Sequence, residues 1–93
     1  MSKIVLLDTG PLGMIVHPKP APEIVAWLRR LLQEQVKIIV PEIADYELRR
    51  ELLRIGSIRS IERLNELKHD LDYLPLTTAV MLKAAEFWAE ARR

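Results

Sequence analysis

A chain of 93 residues that is 49% hydrophobic and 29% charged has the composition of one folded domain, which excludes an intrinsically disordered segment and leaves no room for a second core. Fourteen Lys and Arg against thirteen Asp and Glu give a net charge of +1, so any affinity for nucleic acid must come from a local patch, not from bulk charge. With no cysteine there is neither a disulfide framework nor a thiolate metal site, as suits a reducing interior.

The first apolar run, Ile4 to Leu7, is too short for a secretory signal or a membrane span, and a cytoplasmic protein without a membrane partner is expected. Lys3 to Leu7 is β-branched and leucine-rich and closes on Asp8-Thr9-Gly10-Pro11, the pattern of a buried parallel strand ending in a turn. Asp8 therefore falls at the carboxyl end of the strand, where open α/β sheets gather their ligands. The stretch His17-Pro18-Lys19-Pro20-Ala21-Pro22 reads as loop, because each proline removes a donor and restricts its predecessor.

Glu23 to Gln35 is predicted to be a helix, with Ile24, Trp27, Leu28, Leu31 and Leu32 on one face and Pro22 suited to its first turn. Val36 to Val40 is a second buried strand. Pro41 opens a helix to about Ile55, and Gly56-Ser57 supplies a terminating glycine and a new cap. Another helix, Ile58 to about Asp70, carries Ile58, Ile61, Leu64, Leu67 and Leu71. Tyr73 to Leu76 is a weak third strand, and Thr77 or Thr78 caps a last helix through Arg93 with Met81, Ala84, Ala85 and Trp88 on one face. Strands separated by helical segments imply a parallel α/β sheet with right-handed crossovers.

On the helix from Pro41 to Ile55, a projection of about 100° per residue lines up Ala44, Leu48, Leu52 and Ile55 and brings Glu47 and Glu51 onto the same face. Carboxylates on a core-facing stripe are costly unless paired, hydrogen-bonded or metal-bound. Glu42, Asp45, Arg49 and Arg50 fall off the stripe and read as solvated. Pairing of Glu47 or Glu51 with Arg50 or Arg54 is the plainer alternative, as helix capping is for Asp8. Taken together, Asp8 and Glu47 suggest hard oxygen ligands for Mg²⁺ or Mn²⁺. His17 and His69 share no ligand spacing with any acid and read as loop and surface residues. Trp27 and Trp88 follow the helical period and read as core, whereas Tyr46 lies off it. Arg49, Arg50, Arg54, Arg59 and Arg63 form a basic run that suits a solvated face or phosphate contact.

The segments Ile4-Val5-Leu6-Leu7-Asp8-Thr9-Gly10-Pro11-Leu12 and Val40-Pro41-Glu42-Ile43-Ala44-Asp45-Tyr46-Glu47-Leu48-Arg49-Arg50 together resemble the PIN-domain family of metal-dependent ribonucleases. In that family an Asp ends the first strand, a Thr or Ser follows, and a Glu sits on the helix after the second strand; Asp8, Thr9 and Glu47 match these positions. The resemblance implies one PIN-like domain over residues 1–93, a three-layer α/β/α arrangement around a short parallel sheet, and a catalytic and metal-binding pair Asp8 and Glu47 supported by Thr9 and Glu51. It also implies Mg²⁺ or Mn²⁺ as cofactor, single-stranded RNA as substrate and, for toxin-like members, an antitoxin protein as partner. PIN domains carry a further essential Asp on a later helix and additional strands, whereas this sequence ends at Arg92-Arg93 inside a predicted helix. An amino-terminal portion is therefore expected, with an incomplete acidic site, weak metal binding and self-association through an exposed first strand; a non-catalytic interaction module is the alternative.

Two other resemblances fail on the residues. Leu6-Leu7-Asp8-Thr9-Gly10 is similar to an aspartic-protease loop, but those chains are nearly all β and Pro11 stands where they have Ala or Ser. Phosphatases of the haloacid-dehalogenase type need a second Asp where Gly10 stands.

Overall fold

A computed structural model describes residues 3–91, with the side chains of residues 87, 88 and 91 outside that description; the expected core role of Trp88 and the path of the chain at Arg92 and Arg93 lie outside the described residues. The elements run β1 (Ile4–Leu6), α1 (Thr9–Val16), α2 (Pro22–Gln33), β2 (Lys37–Pro41), α3 (Glu42–Ile55), α4 (Ile58–Asp70), β3 (Asp72–Leu74) and α5 (Thr78–Ala91). The three strands form one parallel sheet in the order β1-β2-β3. Ile4 pairs with Lys37 and Ile39 with Asp72, so the sheet is built from two crossovers of equal length, each holding a pair of helices. This is the parallel α/β arrangement the strand and helix pattern implies.

Helix α1 is the element that pattern reading leaves as a turn. Gly10, Pro11 and Gly13 look like breakers, yet Pro11 is the third residue of the helix, where a backbone N–H has no acceptor within the helix to lose. The first helical bond runs from Leu12 N to Asp8 O at 3.0 Å. Leu12, Ile15 and Val16 are buried, which supplies the stabilisation that local propensity lacks.

One face of the sheet makes the core. Leu7, Ile38 and Val40 are buried and pack with Leu12 and Val16 of α1, Ala44, Leu48 and Leu52 of α3, and Leu64 of α4; Trp27 and Tyr73 close its rim. The alternate residues of β1 face outward, with Ile4 61% and Leu6 56% exposed. Gly56 ends α3 in the left-handed conformation at φ 71°, as its position predicts.

Four expectations are corrected. The inward stripe of α3 is narrower than projected: Ala44, Leu48 and Leu52 are buried but Ile55 is 57% exposed, and Glu47 and Glu51 are exposed. Ile58, the first residue of α4, lies at the helix–helix corner, 69% exposed. The third strand is Asp72–Leu74 rather than Tyr73 to Leu76, because Pro75 has no N–H to extend a ladder. Asp45 is buried and Glu42 half-buried, both hydrogen-bonded as described below.

Candidate active site at the carboxyl end of the sheet

Asp8 follows β1 and caps α1: the Thr9 N–H donates to Asp8 Oδ1 at 2.8 Å. The capping role and the strand-end position thus coincide in one carboxylate. One turn into α1, Gly13 faces α3, and a Cβ there would lie 3.5 Å from Leu48 Cδ1. Thr9 lies on the same face of α1 as Gly13, toward the residue beside Leu48. The Thr9 hydroxyl donates to Glu47 Oε2 at 2.9 Å. Thr9 therefore holds Asp8 with its backbone and Glu47 with its side chain.

Glu51, one turn further along α3, is not drawn into this group. Arg54 donates to both of its oxygens, the Nε bond being 3.0 Å, and this hydrogen bonding holds the Glu51 carboxyl below its ordinary pKa while raising the guanidinium. The groups linked through Thr9, two carboxylates and a hydroxyl, are hard oxygens of the kind that suits Mg²⁺ or Mn²⁺. In number they are few: among the described residues no group of three or more His, Cys, Asp or Glu is placed to hold a metal ion. Asp70 and Asp72 lie at the opposite, amino-terminal end of β3.

The opposite flank of α3 carries a second polar cluster that the sequence reading missed. Asp45, 5% exposed, accepts from Arg49 Nη2 at 3.0 Å and Lys68 Nζ at 2.8 Å, and from the Tyr73 hydroxyl at 3.2 Å. Burial works to raise the Asp45 carboxyl, but the Lys68 and Arg49 cations outweigh it and hold the group below its ordinary value. Tyr73 also approaches Glu42 Oε2 at 3.3 Å, and Glu42 Oε1 accepts the Leu76 N–H at 2.6 Å. Burial, with the Asp45 and Glu42 charges, pushes the Tyr73 phenol up to about 12. Lys68 Nζ sits 4.6 Å from the Tyr73 ring centre. The only signal in the sequence was Arg49 one turn after Asp45; Lys68 and Tyr73 come from α4 and β3, and no local pattern announces them. A cavity of about 420 Å³ is walled by the cluster itself, Glu42, Asp45, Arg49, Lys68 and Tyr73, together with Ile43, Tyr46 and Leu76.

The basic run is mostly engaged. Arg49 and Arg54 are paired as above, Arg63 donates to the Ile15 carbonyl at 3.3 Å, and Arg50 lies 5.9 Å from the exposed Tyr46 ring. His17 and His69 are exposed, and His17 Nδ1 accepts the Lys19 N–H at 3.0 Å.

A short parallel sheet of three strands joined by helical crossovers defines an α/β protein. The family model of the PIN domain matches residues 5–93, and the chain belongs to the PIN domain family. That family is generally nuclease-like, generally binds RNA and generally uses divalent metal ions. Comparisons with curated proteins and with solved structures give no match. Among the described residues no helix is long and apolar enough to cross a membrane.

Proposed function

We propose that the chain is a PIN-type ribonuclease domain whose site for Mg²⁺ or Mn²⁺ is formed by Asp8 and Glu47, with Thr9 as the residue that positions them. The observation that carries this reading is the Thr9–Glu47 hydrogen bond, which joins the helix after β2 to the end of β1. A divalent ion bound there would neutralise charge on a phosphodiester and lower the pKa of an attacking water. Asp8 and Glu47 would supply the anionic oxygens, and Thr9 would fix the separation between them. With only two carboxylates, most of the coordination shell remains water and binding is weak. Glu51, held by Arg54, would act only as a neighbouring charge. Single-stranded RNA is the substrate class, and an antitoxin protein covering the acidic crevice is a fitting partner. In the cytoplasm, millimolar Mg²⁺ would suit so weak a site.

A second reading, a non-catalytic interaction module, is favoured by the lack of a third acidic ligand among the described residues. The two are separated by incubating the purified chain with single-stranded RNA in Mn²⁺ or Mg²⁺, alongside Asp8→Asn and a chelator control. Cleavage that needs the metal and disappears in Asp8→Asn supports the nuclease; absence of cleavage, or cleavage indifferent to Asp8→Asn, sinks it.

A further inference from the structure

We infer that the cavity walled by α3, α4 and β3 takes an unpaired base of an RNA strand, stacked on the Tyr46 ring. Glu42 and Ile43 follow β2 directly, and Leu76 stands two residues beyond β3 as Asp8 stands two beyond β1. Cavity and acidic pair therefore share the carboxyl end of the sheet, where α/β folds gather their ligands. Ile43 connects the two, since on α3 it lies one turn before Tyr46 and one turn before Glu47. A base bound there would adjoin the phosphate handled at Asp8 and Glu47, so the inference rests on the nuclease reading for the strand that brings it.

The walls set the class of occupant. Two carboxylates, Glu42 and Asp45, face two cations, Arg49 and Lys68, and Asp45 is already paired with both cations. The cavity thus offers a phosphate no net attraction, and an uncharged group suits it better. Its volume, about 420 Å³, is that of a small-ligand site. Tyr46 is 59% and Ile43 43% exposed, so an aromatic surface and an aliphatic one stand in water at its mouth. The Arg50 guanidinium lies over the Tyr46 ring, 5.9 Å from its centre, within the range of a cation–π contact that steadies the ring as a platform. A nucleobase joins the flat apolar face that such a platform takes to a rim of hydrogen-bonding groups. Arg49 spends Nε and Nη2 on Asp45, and its other terminal nitrogen remains a donor for a carbonyl on that rim. Because every base has a face to stack, the site adds affinity for single strands without dictating their sequence.

The chain has two tyrosines, so carbon-13 labelling of tyrosine rings gives one NMR signal set for Tyr46 and one for Tyr73. The titration is made with a short single-stranded RNA and with an abasic ribose-phosphate strand of the same length, in Mg²⁺. Asp8→Asn is the host, because Asn still caps α1 and leaves the strand uncut. RNA should move the Tyr46 ring signals upfield, as stacking does, and the abasic strand should not. Tyr46→Ala, a change at an exposed side chain, should weaken RNA binding by about tenfold and bring it down to that of the abasic strand, while Tyr46→Phe keeps the ring and the affinity. RNA that leaves Tyr46 unmoved, an abasic strand that binds as well as RNA, or equal affinity in Tyr46→Ala would each overturn the inference. Tyr46 signals that move with protein concentration and not with RNA would also overturn it, by assigning the cavity to a second copy. Metal-dependent cleavage by the native chain without a Tyr46 shift sinks this inference alone, and a Tyr46 shift without cleavage sinks the nuclease reading alone.

Discussion

Thr9 and Glu47 stand 38 residues apart in the chain and are joined by one 2.9 Å hydrogen bond, the hydroxyl donating to the carboxylate. One turn further along α1, Gly13 faces Leu48 of α3, so the bond joins two helices that also pack against each other. The core residues Leu12 and Leu48 lie on the same two helices as this polar contact.

Replacing Thr9 by Val keeps the volume and removes the donor. Loss of one hydrogen bond to a charged group is worth about 1.5 kcal/mol, so Mn²⁺ affinity should fall by roughly tenfold, with Thr9→Ser close to wild type. Proton relaxation titrations with Mn²⁺ measure this. Equal affinity for Thr9→Val and the native chain would show that Thr9 does not organise the pair.

Metal binding should itself be weak, on the order of millimolar, because two carboxylates leave most ligand positions to water. Asp8→Ala combined with Glu47→Ala should abolish the specific part of the titration. If the doubly substituted chain bound Mn²⁺ as the native one does, the ion would have to sit elsewhere.

Asp45 ties α3 to α4 and β3, and its partners Arg49 and Lys68 remain about a third exposed on their outer sides, so solvent screening limits the gain. Asp45→Asn should destabilise the fold by about 2 kcal/mol at neutral pH. Since the folded carboxyl titrates below its ordinary 3.8, this stability is complete above about pH 5 and drains away as pH falls through the folded-state value. Urea unfolding of both chains at pH 7 and pH 3 checks the sign: the difference should shrink at pH 3. A difference that stays constant would mean that Asp45 stabilises by packing and not by charge.

Two glycines should respond in opposite directions. Gly56 sits at φ 71°, where a Cβ is strained, so Gly56→Ala should cost about 1 kcal/mol. Gly13 is helical and its Cβ would make an ordinary 3.5 Å contact with Leu48, so Gly13→Ala should gain about 0.5 kcal/mol from backbone entropy. Thermal melts of the two variants decide this. A destabilised Gly13→Ala would indicate that α1 and α3 have no room to give.

Much of this molecule was legible in its residues, and the reason differs from place to place. The strands around Val5 and Ile38 and the helices carrying Leu48 and Leu64 announce themselves by apolar period, and the order of Asp8, Thr9 and Glu47 carries the family resemblance. Helix α1 was hidden because Gly10 and Pro11 break helices in the middle but not at the first turn. The helical projection sets Glu47 on the apolar stripe, yet the side chain is exposed and hydrogen-bonded to Thr9. Asp45 failed in the reverse sense, because a helix projection sees only its own helix, and Lys68 and Tyr73 reach it from elsewhere.

The two equal crossovers also set an order of events in folding. Closing either chain segment costs nearly the same entropy, since that cost depends only on the logarithm of loop length, so neither β1 nor β3 has a head start in finding β2. Whichever arrives first leaves β2 with a free side, and only the second arrival gives it hydrogen-bonded neighbours on both edges. Ile38 to Val40 should therefore be the slowest amides to exchange with solvent deuterium, releasing only when the whole domain opens, while Ile4 to Leu6 can peel away at lower cost.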